Sequence, residues 1–381
     1  MPILVRLRIH LALIWRCHFI YNQIRLNQIT AKSSGFNDKG QLIVAVNETK
    51  VGSLSIPKII LENKFSRDTI AFKTSVSSIA DIFSALNING QLFLTDNQFQ
   101  IHLDASDLYI SEDKWLISDN NYIQFGSGYV HTNNFVLKSG EQVIALNSFG
   151  KKGLQLDVSN LPFSWIQRFV KIPFLTFDGK VNAQTRVKNL FDLSQDSISS
   201  TVQMDSFFIN NDYFGKLNIA ASVPKLSEAL NFNLEIEKNV IDDEDKIETQ
   251  SLNVGGKYYL PTAQEKYKPN SFAFSARTRN FPFEVIEYFV QGISKSKGKV
   301  NANLFFSGDV KKPEAKGTVR LYEAGTRIDF LQTFYRLEEI KITAKDNFFD
   351  FSGNKLIDKF GNEASVIGGI NHKILKILNW H

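Results

Sequence analysis

Apolar and polar residues alternate along most of this chain. Gln98-Phe99-Gln100-Ile101-His102-Leu103-Asp104-Ala105 does so without a fault over eight residues, the period of a strand with one dry and one wet face. Leu230, Phe232, Leu234 and Ile236 repeat the pattern against Asn231, Asn233, Glu235 and Glu237, and residues 215–221 repeat it with Leu217 and Ile219 on one side. Shorter strands are predicted at 42–46, 58–61 and 69–72, and turns at 126–128, 210–212 and 307–309. Strands that are two-faced one after another argue against a βαβ fold, whose central strands are apolar on both faces.

One stretch occurs twice. Asn160-Leu161-Pro162-Phe163-Ser164-Trp165-Ile166-Gln167-Arg168-Phe169-Val170 is matched by Asn280-Phe281-Pro282-Phe283-Glu284-Val285-Ile286-Glu287-Tyr288-Phe289-Val290. Each is followed by the same pentapeptide, Gly179-Lys180-Val181-Asn182-Ala183 and Gly298-Lys299-Val300-Asn301-Ala302. A regular spacing of this kind points to an array. In each copy the Asn reads as a helix N-cap and the Pro as part of the first turn. Phe163, Ile166 and Phe169, with Phe283, Ile286 and Phe289 in the second copy, then mark one face of a short helix flanked by Trp165 and Tyr288. The predicted unit is strand, short amphipathic helix, strand. Residues 75–85 read as another short helix; whether it is a third copy stays open, because the Pro-Phe signature is missing.

Composition fits many short strands. Of 381 residues 43% are apolar, and 32 are Phe against 2 Met and 1 Cys; that excludes a disordered tail and allows one large or two moderate cores. The net charge of +5 is spread along the chain, which is a solvated surface rather than a nucleic-acid footprint. Residues 1–32 are basic, but the apolar run 11–15 is too short to span a bilayer, and neither a clear signal peptide nor a cleavage site follows. On that ground Met1 is expected to lie inside a longer protein.

Catalytic constellations are missing from the pattern. Cys17 is alone, the six His form no ligand pair, and no Walker loop, nucleophile elbow or dinucleotide fingerprint is present. The acidic run 242–245 lacks the spacing of a calcium loop and reads as a hairpin tip. No catalytic residue, metal site or cofactor is expected, and the chain is not expected to be an enzyme.

What remains is the dry face of the strands. It is buried either by closure into a sandwich or barrel, or by lining an open groove that holds an apolar ligand. The lining candidates are Phe99, Ile101 and Leu103; Leu217 and Ile219; Phe232 and Leu234; Phe272 and Phe274; and Leu304 and Phe306.

The C-terminal third carries a resemblance. Residues 317–335 run Gly-Thr-Val-Arg-Leu-Tyr-Glu-Ala-Gly-Thr-Arg-Ile-Asp-Phe-Leu-Gln-Thr-Phe-Tyr. They are followed by Leu356-Ile357-Asp358-Lys359-Phe360-Gly361-Asn362-Glu363-Ala364 and then Val366-Ile367-Gly368-Gly369-Ile370-Asn371-His372. This resembles the TamB family of translocation and assembly module proteins, in the form found in Bacteroidota, over about residues 150–372. The likeness implies a mainly β fold of the AsmA-like, repeating β-groove kind: an elongated, curved antiparallel sheet. Residues 1–35 would then be a basic N-terminal stretch of uncertain role, 36–150 a first groove segment, 151–290 a second repeat unit and 291–381 a third, truncated one.

The likeness also implies a periplasmic, cell-envelope location with an inner-membrane anchor that this chain lacks, and phospholipid acyl chains as cargo moved between the inner and outer membranes. The alternative it implies is a scaffold for assembly of outer-membrane proteins beside a barrel partner. A closed structural β-domain with no ligand is the reading outside the family. No catalytic residue carries over.

Overall fold

The computed structural model describes residues 10–11, 19–21, 24–36, 39–51, 54–76, 83–95, 97–104, 107–110, 113–167, 175–192, 198–225, 228–241, 245–261, 268–309, 312–346 and 348–371. Over these the chain is mainly β, forming one large antiparallel sheet that does not close into a barrel. It divides into two compact units, residues 1–161 with 186–191, and residues 162–185 with 192–381. No helix among the described residues is long and apolar enough to cross a membrane.

In the first unit six strands follow one another as a meander. They are β1 (Ile24–Phe36), β2 (Lys39–Val51), β3 (Ile59–Ser66), β4 (Thr69–Val76), β5 (Phe83–Thr95) and β6 (Gln98–Leu103), each paired with the next. β5 is long enough for two partners: its second half pairs β6 and its first half pairs β7 (Asp107–Ile110). β7 turns into β8 (Asp113–Ile117), while β6 pairs β9 (Tyr122–Gly126) and β9 pairs β10 (Tyr129–Asn133). β11 (Phe135–Ser139) pairs β8 and β12 (Gln142–Phe149), and β12 pairs β13 (Gly153–Pro162). Leu108, Ile110, Trp115 and Val130 are buried here.

β6 stops at Leu103, and an asparagine side chain takes over its ladder. Asn121, only 1% exposed, accepts from the Leu103 amide at 2.9 Å and donates to the Leu103 carbonyl at 2.7 Å and the Ser118 carbonyl at 2.8 Å. A primary amide has the donor and acceptor that a neighbouring peptide group would offer, so no backbone group is left unpaired at that rung. Asn354 does the same in the second unit, to the amide and carbonyl of Lys341 and the carbonyl of Phe351.

The second unit begins at the short helix α1 (Phe163–Gln167), followed by β14 (Lys180–Val187), whose last two residues belong to the first unit. Eight strands then pair strictly in sequence order: β15 (Ile198–Ile209), β16 (Asp212–Val223), β17 (Ala229–Ile241), β18 (Ile247–Tyr259), β19 (Ser271–Pro282), β20 (Ile293–Asp309), β21 (Lys312–Ile328) and β22 (Thr333–Lys345). Each alternates apolar and polar residues, so the register stacks like with like. Ile219, Leu234, Val254, Ala276 and Leu304 form one row across five strands. The next row on the opposite face is Asn218, Glu235, Asn253, Arg277 and Asn303.

Several expectations are corrected. Asn160 and Asn280 are not N-caps. Both sit in the left-handed region, at φ 56° and 49°, inside strands. At Asn280 the ladder slips between Thr278 and Phe281, a β-bulge, and the Asn280 amide donates to Asn301 Oδ1 at 2.5 Å. Asn tolerates this conformation better than most residues, which is why it stands there. The residue before the second helical segment is Pro282, with no side-chain cap, and Phe283–Tyr288 is a 3-10 turn rather than an α-helix.

Residues 307–309 are not a turn, because β20 runs through them and Gly308 adopts φ 113° within the ladder. Of the helix expected at 75–85, residues 75–76 end β4 and 83–85 open β5, while 77–82 lie outside the described residues, as do Phe169 and 242–244.

Candidate functional site

The candidate site is the dry face of the second unit. Phe232 on β17 and Phe274 on β19 both lie opposite Gly256 on β18, and Phe274 lies opposite Phe306 on β20. A Cβ at Gly256 would stand 2.4 Å from the Phe274 Cβ, so the glycine makes room for aromatic rings from both sides. The rings meet: Phe232 and Phe274 centroids are 6.1 Å apart, Phe272 and Phe274 5.4 Å, and Phe274 and Phe306 4.9 Å and stacked. Ile219, Leu234 and Leu304 make the adjacent row. All of these side chains are half-buried, neither sealed in a core nor fully wet.

The large apolar side chains that are fully buried in this unit gather at one end of the face. Val181, Met204, Phe207, Phe214, Leu217, Ile236, Phe281 and Phe283 are there, with Leu321, Leu337 and Ile340. Leu217 is therefore a core residue at 3% exposure rather than part of the half-open lining. The two short helical segments close this end. Phe163 on α1 meets Phe177 and Phe207 edge-on at 5.6 and 6.4 Å, and Trp165 of the same helix is buried. Phe283 packs with Leu321, Ala324, Leu337 and Ile340, and Ile286 packs against that cluster. Their spacing of three suits a 3-10 turn, which brings i and i+3 onto one line. Ile166 is half-buried. Phe289 lies past the turn and is 50% exposed, so it does not line the face.

Phe99, Ile101 and Leu103 fall in the first unit. Ile101 pairs with Leu92 and Ile123, Leu103 with Gly90, and Phe99 stacks on Phe125 at 4.9 Å while staying 39% exposed. They form rows of their own within the first unit.

Val254, Gly256, Ala276, Val319 and Ile342 complete the face and were missed as candidates. The signal for β18 was present, since Leu252, Val254 and Tyr258 alternate with Asn253 and Lys257.

Polar groups surround the closed end. Lys299 reaches Glu248, two strands away, at 3.0 Å, and Glu323 at 3.6 Å; the hydrogen bond to Glu248 leads the effects that hold its ammonium above the usual value. Burial first, and then the hydrogen bond to Asp212, push the Tyr288 phenol far up, so it is a neutral donor at any ordinary pH. Burial also raises Glu284, helped by the charges of Glu287 and Asp212 and opposed by Lys238. A carboxyl held up in this way stabilises the fold in its protonated form, below the ordinary carboxylate value, and that contribution is lost as pH rises through the raised one. Glu284→Gln is therefore expected to raise the melting temperature at neutral pH, and the gain should vanish on acidification. Because Glu284 is exposed by area the effect is small, and thermal melts across pH would read it.

Among the described residues no group of three or more His, Cys, Asp or Glu is placed to hold a metal ion. Open concavities of about 590 and 340 Å³, lined by Arg67, Asp68, Leu94 and Thr95 and by His102, Leu103, Asp104 and residues 117–120, lie in the first unit. Compared with known proteins, the chain matches no family model and no curated sequence. The class that fold and site define is a mainly β protein with an open apolar sheet face.

Proposed function

We propose that the dry face of the second unit binds the acyl chains of phospholipid, and that the chain is a segment of a TamB-like cell-envelope protein. In this reading the sheet is a curved groove built from strand, short helix and strand units, and lipid passes along it between the inner and outer membranes. One observation carries the reading. Rows of Phe, Leu, Ile and Val run across at least five paired strands and are left half-exposed over most of their length. A continuous apolar surface of this extent is costly to leave against water unless something apolar lies on it.

Site-specific photo-crosslinking in membranes tests it. A photoreactive residue at Phe232 or Phe274 is expected to capture phospholipid, while one at Asn233, exposed on the opposite face, captures little. Capture from Asn233 alone would sink the reading.

A further inference from the structure

The 3-10 turn after Pro282 is fastened on both sides of the apolar face. At its far end Tyr288 Oη donates to an Asp212 carboxylate oxygen by a very short bond, and lies 3.4 Å from the Ile209 carbonyl oxygen. Asp212 opens β16, and two whole strands, β17 and β18, stand between β16 and β19, from which the turn departs. On a flat sheet three spacings put β16 and β19 about 14 Å apart. Yet Phe214 of β16 and Phe281 of β19 stack at 5.7 Å. The two rings thus reach toward each other over β17 and β18, and the turn spans this end of the face.

The residue beside Tyr288, Glu287, makes a second anchor to the strands on the other side. Glu287 accepts from the Ser296 amide of β20, and the Ser296 hydroxyl meets that of Thr326 on β21 at 2.9 Å. Ahead of the two anchors Phe283 is buried on the face and Ile286 packs against the same cluster.

We infer that Phe283–Tyr288 is a strap that shuts one end of the face, that the Tyr288–Asp212 hydrogen bond is its latch, and that the strap sets the longest acyl chain the face holds. The inference rests on the acyl-binding reading above and adds a length limit to it. Val300 lies under the strap, in the cluster around Phe283. From Ala302 to Gly308 the same strand presents its dry side without that cover. Six residue steps make about 20 Å of open face, against about 15 Å for the chains that fill one leaflet of a bilayer. One ordinary acyl chain fits along the open run; a much longer one meets Phe283. Tyr288 is a positioning residue here, since it holds the strap and does not line the open run.

The full-length chain is tested with two fatty acids carrying a terminal diazirine, one of ordinary membrane length and one of very long chain, with capture measured by mass spectrometry. The wild type is expected to favour the ordinary chain and to be labelled by it next to Phe283. Tyr288→Phe keeps the ring and removes the latch. It is expected to raise the ratio of very-long to ordinary capture about tenfold, the worth of one hydrogen bond to a charged group. Asp212→Asn weakens the same latch from the hairpin side and should move the ratio in the same direction. Circular dichroism melts establish that each variant is folded, and should one variant fail to fold the other decides.

Capture of both probes by the wild type with a ratio unmoved in the folded variants overturns the strap and leaves acyl binding standing. No capture of either probe by the wild type overturns acyl binding and the strap with it.

Discussion

Gly298→Val is expected to destabilise the second unit by about 3 kcal/mol or more, among the largest effects any single residue here should show. Gly298 has φ 118°, and a Cβ there would stand 2.5 Å from Ala324 Cα and 2.9 Å from the Glu323 carbonyl oxygen. The ladder between β20 and β21 slips at this point, with Lys297 opposite Gly325 and Lys299 opposite Tyr322. The two backbones come together only because position 298 has no side chain. A bulky residue must push β21 away from the Phe283 cluster as well as adopt a strained conformation. Gly292→Ala is the control: φ there is 87°, but nothing lies within 4 Å, so it should cost only about 1 kcal/mol. Urea titration followed by circular dichroism reads both, and equal losses at the two positions would remove the close-approach argument. Gly179 stands in the same place in the first copy of the motif, with a Cβ 2.2 Å from the Ser206 carbonyl oxygen, and its substitution should be as damaging.

The second large effect is expected in the first unit. Asn121→Ala should cost about 2–4 kcal/mol, since it strips partners from the Leu103 amide and carbonyl and the Ser118 carbonyl and empties a side-chain position that is only 1% exposed. Asn121→Asp should be no better, because it keeps the acceptor but turns the donor into an anion facing two carbonyl oxygens. Native-state hydrogen exchange offers a direct reading: the Leu103 amide should lose protection before the rest of β6. Slow exchange at Leu103 in the alanine variant would mean that water or another group replaces the amide.

The strands read at 98–105, 215–221 and 230–237 fall on β6, β16 and β17, because a period of two is stated locally, residue by residue. The doubled motif was legible as a repetition but not as a shape. Asn before Pro reads the same whether it caps a helix or turns left-handed in a bulge, and only the cross-strand partner decides. That partner is Asn301, from the pentapeptide that follows each copy: Phe281 lies opposite Val300 and Pro282 opposite Lys299. In the first copy the Phe163 amide likewise donates to the Gly179 carbonyl at 2.9 Å. The two halves of the motif thus recur together because they are neighbours across a ladder.

The apolar face was legible as a periodicity, and Phe232, Phe274 and Phe306 do meet. Leu217 was misplaced because alternation states which side a residue takes and not which end of the sheet is covered. The Tyr288–Asp212 bond joins residues 76 positions apart, and nothing local announces it.

The sequential pairing from β15 to β22 has a consequence for how such a protein is made and how it changes. Each ladder closes between strands that follow one another in the chain, so little loop entropy stands in the way of any one step, and the sheet can grow strand by strand as the chain emerges during synthesis. Deleting or duplicating a single strand would reverse the direction of every strand after it. Deleting or duplicating a hairpin leaves direction and inward parity intact, so the width of this surface is free to evolve two strands at a time.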